Sequence, residues 1–272
     1  MKNNILIILT IILFHSTVIA ENLRIEARNI TLDKNKEISI FENNVVIQTS
    51  EGNKIFSDYA EYNKKNQFVI LKENIFVEDI KGNRINAKYA DYDDKSKIFK
   101  TLGKTEIITS DKYVVEGEDI IIDNLAQSIK SSKNTLITDK ENNKIYLQNF
   151  EYIIKENIFK SVGEISIKDK TNNTYEFSQI YIDTKKKEIL GADIKAYLND
   201  KDFKINTQNK PRIFANSMEI KKETKSFSKS IFTICNYRKN DKCPPWTIQS
   251  SKMLHDNTKK TIYYTNAVIK IY

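Results

Sequence analysis

The sequence of 272 residues has little glycine, proline, cysteine or histidine, with 6 Gly, 3 Pro, 2 Cys and 2 His. So few Gly and Pro residues exclude collagen-like and low-complexity chains. Two Cys and two His are too few for a multi-site zinc or iron–sulfur protein. Hydrophobic residues make up 40%, which is low for a globular enzyme but too high for full disorder. The formal charge of +8 is spread along the chain, so it gives only weak evidence for an anionic partner.

The first twenty residues have the pattern of a secretory signal peptide. Lys2 gives a positive start, Ile5–Phe14 is apolar apart from one Thr, and Val18 and Ala20 occupy the positions that a signal peptidase reads. The apolar run is too short to cross a bilayer comfortably, since about 20 residues are needed. We therefore expect cleavage after Ala20 rather than an uncleaved anchor. The protein is then exported, to the periplasm or the periplasmic face of the outer membrane in a double-membraned bacterium, and nucleic acid is not an expected partner.

Residues 21–210 form an array with a period of thirty residues. Reading every thirtieth residue gives columns that stay apolar or small over six units without an insertion, which indicates a repeat protein. One column contains Ile25, Ile55, Ile85, Val115, Ile145 and Tyr175. The column two residues later contains Ala27, Ser57, Ala87, Gly117, Leu147 and Phe177. A third contains Ile30, Ala60, Ala90, Ile120, Phe150 and Ile180.

Within each unit the apolar residues alternate with polar ones, as in half-buried strands. Val45 and Ile47 show this alternation, and their counterparts recur one period apart. Turn-forming residues recur at Glu51–Asn53 and, half a unit later, at Asn63–Asn66. Each unit is therefore expected to hold two strands of about 6–10 residues and two turns, with no helix.

Two strands per unit, stacked unit on unit, predict two sheets that face each other across a continuous apolar interior. The predicted fold is all-β: a β-jelly-roll, or folded antiparallel β-solenoid, of about six 30-residue two-strand units after the signal peptide. A parallel β-helix is the main rival. The tight Gly-Asn and Asn-Asn turns favour antiparallel hairpins, because parallel neighbours need long crossover connections.

Residues 211–272 differ in composition from the array. They contain all three prolines, the only Trp and both cysteines. We expect a terminal cap or a junction to another segment, since an exposed sheet edge needs protection. Cys235 and Cys243 could pair with each other in an exported protein, or either could bond to a cysteine elsewhere. No standard ligand spacing is present, so neither a metal nor another cofactor is predicted.

The same region carries a resemblance to a known family. Cys235–Arg238, the Cys-Pro-Pro-Trp element within Asp241–Ile248, and Ile262–Ala267 resemble the LptD family of outer-membrane lipopolysaccharide-assembly proteins, at the stretch that joins their periplasmic domain to the barrel. The thirty-residue units also resemble the OstA-type modules of the LptA and LptC families. The resemblance implies a β-jelly-roll that receives lipopolysaccharide and passes it towards the outer leaflet. It further implies disulfides between the amino-terminal domain and the barrel.

The resemblance also implies partners. These are lipopolysaccharide, an LptA-like periplasmic bridge protein at the amino-terminal edge (residues 22–32), and an outer-membrane β-barrel with its lipoprotein plug if the chain belongs to a longer protein. A stand-alone bridge or carrier of the LptA or LptC type is the alternative.

Candidate lipid-binding residues are the members of the inward columns. Small residues such as Ser57, Ala87 and Gly117 could leave room for acyl chains, although the same columns would also suit a closed core. The candidates are Val45, Ile47, Ile55, Ile75, Val77, Ile85, Ala87, Ala90, Ile107, Val115 and Ile145.

An enzyme is not expected. A polysaccharide-active β-helix would need paired carboxylates or a metal in a groove. Acidic residues do cluster at positions 91–94 and 116–119, but both clusters fall on polar faces or turns of the predicted array. No catalytic residue is therefore assigned, and a surface protein or adhesin of the same fold is a third possibility.

Overall fold

The computed structural model describes residues 23–199, 211–235, 244–256, 258–259 and 261–272. The predicted signal peptide and Cys243 lie outside these residues. The described residues form one antiparallel sheet of 21 strands. They contain no helix, and hence none that is long and apolar enough to cross a membrane. The strands are β1 (Leu23–Glu26), β2 (Asn29–Asp33), β3 (Ile38–Thr49), β4 (Lys54–Asn63), β5 (Phe68–Glu78), β6 (Arg84–Asp93), β7 (Ile98–Ile108), β8 (Val114–Glu118), β9 (Ile121–Asp123), β10 (Ser128–Ser131), β11 (Thr135–Thr138), β12 (Lys144–Leu147), β13 (Phe150–Ile153), β14 (Ile158–Lys168), β15 (Thr174–Asp183), β16 (Glu188–Tyr197), β17 (Arg212–Ile220), β18 (Thr224–Thr233), β19 (Trp246–Asp256), β20 (Thr261–Thr265) and β21 (Val268–Ile271).

Strands pair with their neighbours in chain order. β3 to β7 form one run of antiparallel hairpins, and β14 to β19 form another. Between the two runs, each long strand is split in two, so β8 and β9 both pair with β7, while β12 and β13 both pair with β14. The antiparallel prediction is confirmed, and the parallel β-helix is excluded.

The thirty-residue period is visible in the backbone as three columns of residues with positive φ. The first turn row comprises residues 50–53, 79–83, 109–113, 139–143 and 169–173, with positive φ at Gly52, Gly82, Lys112, Asn142 and Asn172. The second turn row comprises residues 34–37, 64–67, 94–97, 124–127, 154–157 and 184–187, with positive φ at Glu37, Gln67, Lys97, Gln127, Asn157 and Lys187. The third set, the bend column, lies within the strands at Asn43, Glu73, Gly103, Gly163 and Asp193.

The bend column folds the sheet over through bulges on alternate strands. In β5 the pairing with β4 shifts register across the bend, because the bulged strand carries an extra residue. Residues 72–74 are exposed at this corner, while Leu71 and Ile75 on either side are buried. The two halves of each strand therefore face each other, and the sheet encloses an interior as a β-jelly-roll.

Buried hydroxyl groups satisfy backbone groups at the bends. Ser57 Oγ donates to the Tyr59 carbonyl (3.0 Å), and Thr105 Oγ1 donates to the Gly103 carbonyl (3.2 Å). A bulge leaves such carbonyls without a ladder partner, and an unpaired buried polar group is costly. Polar residues thus accompany the bend at these positions, whereas buried Val45 and Ile75 occupy the place of Thr105 beside the bends of β3 and β5.

These hydroxyls also divide the interior. Thr101, Thr105, Ser131 and Thr135 are all buried mid-array and form a hydroxyl layer, within which Thr105 Oγ1 and Thr101 Oγ1 lie 2.6 Å apart. An amino-terminal core of buried hydrophobic residues runs from Leu23 to Ile120, and a separate carboxy-terminal core runs from Ile137 to Met253. The predicted continuous apolar interior is therefore corrected to two buried apolar cores with the hydroxyl layer between them, while half-buried Val115 and Ile129 pack against both.

The region after residue 210 extends the same sheet. β17, β18 and β19 follow β16 in unbroken pairing order, and β20 and β21 pair with β19 as another split strand. Trp246 of the Cys-Pro-Pro-Trp element packs edge-on against Phe232, with ring centroids 6.5 Å apart. Asn266, with φ of 53°, separates β20 from β21. The division of the chain at residue 210 stays a prediction.

Gly191 allows a close approach that provides a test of this packing. A Cβ at Gly191 would overlap the ring of Phe177, which is buried on the neighbouring strand. We expect Gly191→Ala to lower the free energy of unfolding by about 1–3 kcal/mol, because overpacking forces the ring to move. In a Phe177→Leu background the same substitution should cost at least about 1 kcal/mol less, as measured by urea denaturation in a double-mutant cycle. Equal penalties in both backgrounds would contradict this packing.

Candidate functional site

The structure places the predicted lipid-binding residues inside the folded sheet. Val45, Ile47, Ile55, Ile75, Val77, Ile85, Ala90 and Ile107 are buried and belong to the amino-terminal core. Three further candidates are half-buried: Ala87 packs against that core, Ile145 packs against the carboxy-terminal core, and Val115 packs against both. The columns therefore identified the inward face of each strand. Their contact with lipid stays a proposal.

The interior is closed in this structure. The walls of an open groove would be accessible to solvent, yet Ile47 and Val69 are 0% exposed. The small residues do not hold the interior open either. A Cβ at Gly117 would meet Thr135 Oγ1 at 3.0 Å, and the Ser57 hydroxyl is bonded at a bend. The expectation that Ser57 and Gly117 leave room for acyl chains is therefore corrected: neighbouring atoms fill that space.

The two turn rows meet along a line that we call the seam. Strand pairs in the described residues all run along the array, and none joins the first turn row to the second. Side chains make the contacts across the seam instead. Lys97 Nζ of the second row lies 3.3 Å from Glu51 Oε1 and 3.3 Å from Ser50 Oγ of the first row. The sheet thus closes on itself through side-chain contacts rather than a backbone ladder.

A second crossing lies in the carboxy-terminal half. The turn between β17 and β18 continues the second turn row, because Ile220 beside it pairs with Ile189. Lys225 follows this turn and donates from Nζ to Tyr175 Oη over 2.7 Å, with Nζ 5.0 Å from the ring centroid. Tyr175 begins the strand after the first turn row and is 3% exposed.

The contacts around Lys97 form a partly buried charged cluster. Asp94, whose side chain is 2% exposed, lies 2.6 Å from Lys97 Nζ and accepts a hydrogen bond from Tyr92 Oη (3.2 Å). Burial disfavours the charge on Lys97, but hydrogen bonds with Asp94 and Glu51 outweigh it and raise the lysine's pKa. Burial likewise opposes the charge on Glu51, but backbone and side-chain hydrogen bonds lower its pKa. Both groups therefore stay ionised at neutral pH.

The sequence pattern predicts that the acidic cluster at positions 91–94 lies on a polar face or turn. The buried side chain of Asp94 corrects that prediction. Asp93 caps the turn by accepting from the Lys95 and Ser96 amides, and burial raises the pKa of Asp91. Asp94, in contrast, points inward. Its counterparts one period away share no chemistry with it, so no column in the sequence could have identified it.

The second acidic cluster lies near a strand interruption. Asp119 Oδ1 accepts from the Gly103 amide (2.8 Å), so this carboxylate stabilises the bend. Glu116 and Glu118 are exposed on β8. Within the described ranges, no group of three or more His, Cys, Asp or Glu side chains could hold a metal ion.

Cys235 is half-buried just beyond β18, and its carbonyl accepts a hydrogen bond from the buried Arg212 guanidinium. Cys243 lies outside the described residues. Both proposed pairings, with each other or with a cysteine elsewhere, therefore stay predictions.

Two lysines lie side by side on the outer face near the first turn row. Lys144 of β12 and Lys168 of β14 are register partners and line a cleft of about 380 Å³ together with Tyr146, Lys170 and the acidic Glu141 and Asp169. Like charges directly opposite each other in a sheet are unfavourable unless an anion lies nearby. Lys170 is already paired with Glu141 at 2.7 Å.

The pKa of Glu51 gives the seam contact a defined pH dependence. Because the folded-state pKa lies below the ordinary 4.5, the stabilisation is full above that ordinary value and is lost as the pH falls through the folded-state pKa. We expect Glu51→Gln to lower the free energy of unfolding by about 0.5–1 kcal/mol at neutral pH. The gap to the parent should close in acid, as measured by urea denaturation across a pH series.

Glu141→Gln is the matched control, because Glu141 pairs with Lys170 within the first turn row and does not cross the seam. Its loss of stability should be smaller, within about 0.5 kcal/mol. A Glu51→Gln penalty that stayed constant down to strongly acidic pH would show that the carboxylate does not stabilise the fold through its charge.

Comparison with known proteins gives limited similarity. No protein-family model matches the chain, and no curated protein sequence matches it. Among solved structures, LptH from Pseudomonas aeruginosa is similar at 14% identity and a TM-score of 0.19, over 62% of this chain and 81% of that chain. It is described as the LptA homologous periplasmic component of the conserved lipopolysaccharide transport device. The TCP10 domain of Danio rerio CPAP, in complex with a STIL peptide, is similar at 9% identity and a TM-score of 0.13, over 56% and 96%. These overall scores are low, so the fold assignment rests on the strand pairing described above.

Proposed function

We propose that this chain is a non-catalytic periplasmic module of lipopolysaccharide transport, which shields acyl chains between the two halves of its folded sheet. The observation that supports this proposal is an elongated interior of inward apolar columns that is closed along one side by side chains alone. Such an interior can open along the seam while every strand ladder stays intact.

The free energies of acyl-chain burial and of the seam contacts favour opening along the seam. An acyl chain gains about 0.8 kcal/mol for each methylene removed from water, so a chain of a dozen carbons gains roughly 10 kcal/mol. An ion pair at a protein surface contributes only about 0–1 kcal/mol. Entry of one acyl chain can therefore offset the loss of a few seam contacts, whereas unpairing a whole strand would also forfeit its ladder of hydrogen bonds.

The headgroup would remain outside. Lipopolysaccharide carries phosphates, which the low-dielectric interior would exclude.

Both ends of the array expose apolar strand edges. Among the described residues, β2 pairs only with β3 and exposes Ile30 and Leu32, which are 53% and 63% accessible. Within the same part of the chain, β21 pairs only with β19 and exposes Ile269 and Ile271, at 66% and 84%. An unpaired edge can accept another sheet by β-augmentation. The two open edges support a module that links a preceding periplasmic bridge to a following partner.

Within this function we favour a role of the LptD type, because the Cys-Pro-Pro-Trp element and the following Tyr-x-Asn-Ala resemble that family's junction. The following partner would then be an outer-membrane barrel with its lipoprotein plug. A stand-alone bridge of the LptA type is the second candidate, supported by the two similar open edges.

Photocrosslinking to a lipopolysaccharide analogue tests the lipid path. A diazirine-bearing aliphatic residue would be placed at inward positions and, as matched controls, at outward neighbours on the same strands. We expect crosslinks at Val45, Ile85, Val115 and Ile145, and none at Lys54, Arg84 and Lys144. A folded protein that labels equally on both faces, or not at all inside, would refute the path.

Crosslinking along β2 tests the amino-terminal partner. A photoreactive residue at Ile30 or Leu32 should trap a periplasmic module of the same fold in cells, because both side chains flank the open edge. The same residue at Ile269 should trap a different partner. Recovery of the bridge protein only from Ile269 would reverse the proposed orientation.

A further inference from the structure

We propose that two cationic clasps hold the seam shut, one over each apolar core, and that they open independently to control access to the interior. The Lys97 clasp consists of Lys97, Asp94, Glu51 and Ser50. The Lys225 clasp consists of Lys225 and Tyr175. The inference rests on the proposed function for its purpose, but not for its geometry.

The Lys97 clasp is built to hold two turns together. Asp94 anchors the ammonium within the second turn row at 2.6 Å, and Tyr92 in turn donates to Asp94. The remaining contacts of the ammonium reach across the seam to Glu51 and Ser50, both at 3.3 Å. The lysine side chain is only 15% exposed, so water screens this contact less than it would a surface pair.

The Lys225 clasp uses different chemistry at the equivalent place. The ammonium donates to the phenol of a buried tyrosine and lies near the face of its ring, which adds a cation–π attraction. Each clasp spans a similar sequence separation, 46 residues from Glu51 to Lys97 and 50 from Tyr175 to Lys225, as expected for opposing rows of one regular array.

The hydroxyl layer separates what the clasps close. The Lys97 clasp includes residues adjoining β6 and β7, whose buried residues belong to the amino-terminal core. Tyr175 of the Lys225 clasp belongs to the carboxy-terminal core. Thr101, Thr105, Ser131 and Thr135 lie between the cores. Opening one clasp therefore exposes one core, and the other remains packed.

Thiol labelling measures this opening directly. Ala90 is 2% exposed in the amino-terminal core, and Ala196 is 0% exposed in the carboxy-terminal core, beside Tyr175 in register. A cysteine at either position reacts with maleimide only when its part of the interior opens. Rates would be followed without lipid by peptide mass spectrometry, which distinguishes the introduced cysteine from Cys235 and Cys243.

We expect Glu51→Gln to raise the labelling rate of Ala90→Cys about two- to fivefold and leave that of Ala196→Cys unchanged. Lys225→Met should give the reverse pattern. Glu141→Gln, which removes an ion pair that does not cross the seam, should change neither rate. A fivefold change corresponds to about 1 kcal/mol in the opening equilibrium, which matches the expected loss of stability.

Labelling rates equal to those of the parent in both clasp variants would overturn the proposal. Equal increases at both cysteines would also overturn it, because they indicate global unfolding. The transport proposal is tested separately by the lipid crosslinks. If labelling follows the clasps but lipid never crosslinks inside, the clasps stand and the lipid path fails. If lipid crosslinks inside but the clasp variants label like the parent, the lipid path stands and the clasps fail.

Discussion

The bend in the middle of each long strand is the constraint on which the rest of the structure depends. A residue with positive φ recurs there at Asn43, Glu73, Gly103, Gly163 and Asp193. Such residues cost free energy unless they are Gly or Asn, so their recurrence at one phase indicates a required geometry. Because every second strand bulges at the same phase of the repeat, a sheet with no second layer can still enclose an apolar interior.

The same bend determines where the structure is weak. One side of the interior is closed by the continuous chain at the bends, and the other side is closed by the meeting of two turn rows. Only side chains such as Lys97 and Lys225 cross that seam among the hydrogen bonds and ion pairs described above. A closed β-barrel has no such line, since its ladder continues around the whole wall. The chain therefore combines a rigid array along its length with one side that can open.

Much of this fold could be predicted from the sequence, because period-thirty columns and period-two alternation report which residues face inward. Val45, Ile47 and Ile75 are buried as predicted. The columns could not show that the strands bend, because several different residue types occupy the bend. They also could not identify Asp94 and Lys97, whose importance comes from a contact with a turn about 45 residues earlier in the chain.

The hydroxyl layer illustrates a further limit of sequence patterns. Thr105 and Thr135 fit an inward column of β-branched residues, so the alternation of inward and outward residues does not distinguish them from Ile75. Their hydroxyls instead bond to backbone groups at the bends, which divides the core. Distinguishing a threonine that packs from one that caps a bulge requires knowledge of the strand register.

Pulsed electron resonance tests the central claim, that lipid enters by opening the seam without unpairing strands. Spin labels at Lys81 and Ala126, in a background lacking Cys235 and Cys243, would measure the distance between the two turn rows about one period beyond the Glu51–Lys97 contact, since Ala126 adjoins the counterpart of Lys97. Labels at Lys81 and Lys112 would measure the distance along one row. On loading with lipopolysaccharide, the account predicts that the distance across the seam lengthens and the distance along the row stays constant. Bound lipid with no change across the seam, or with equal changes in both distances, would contradict it.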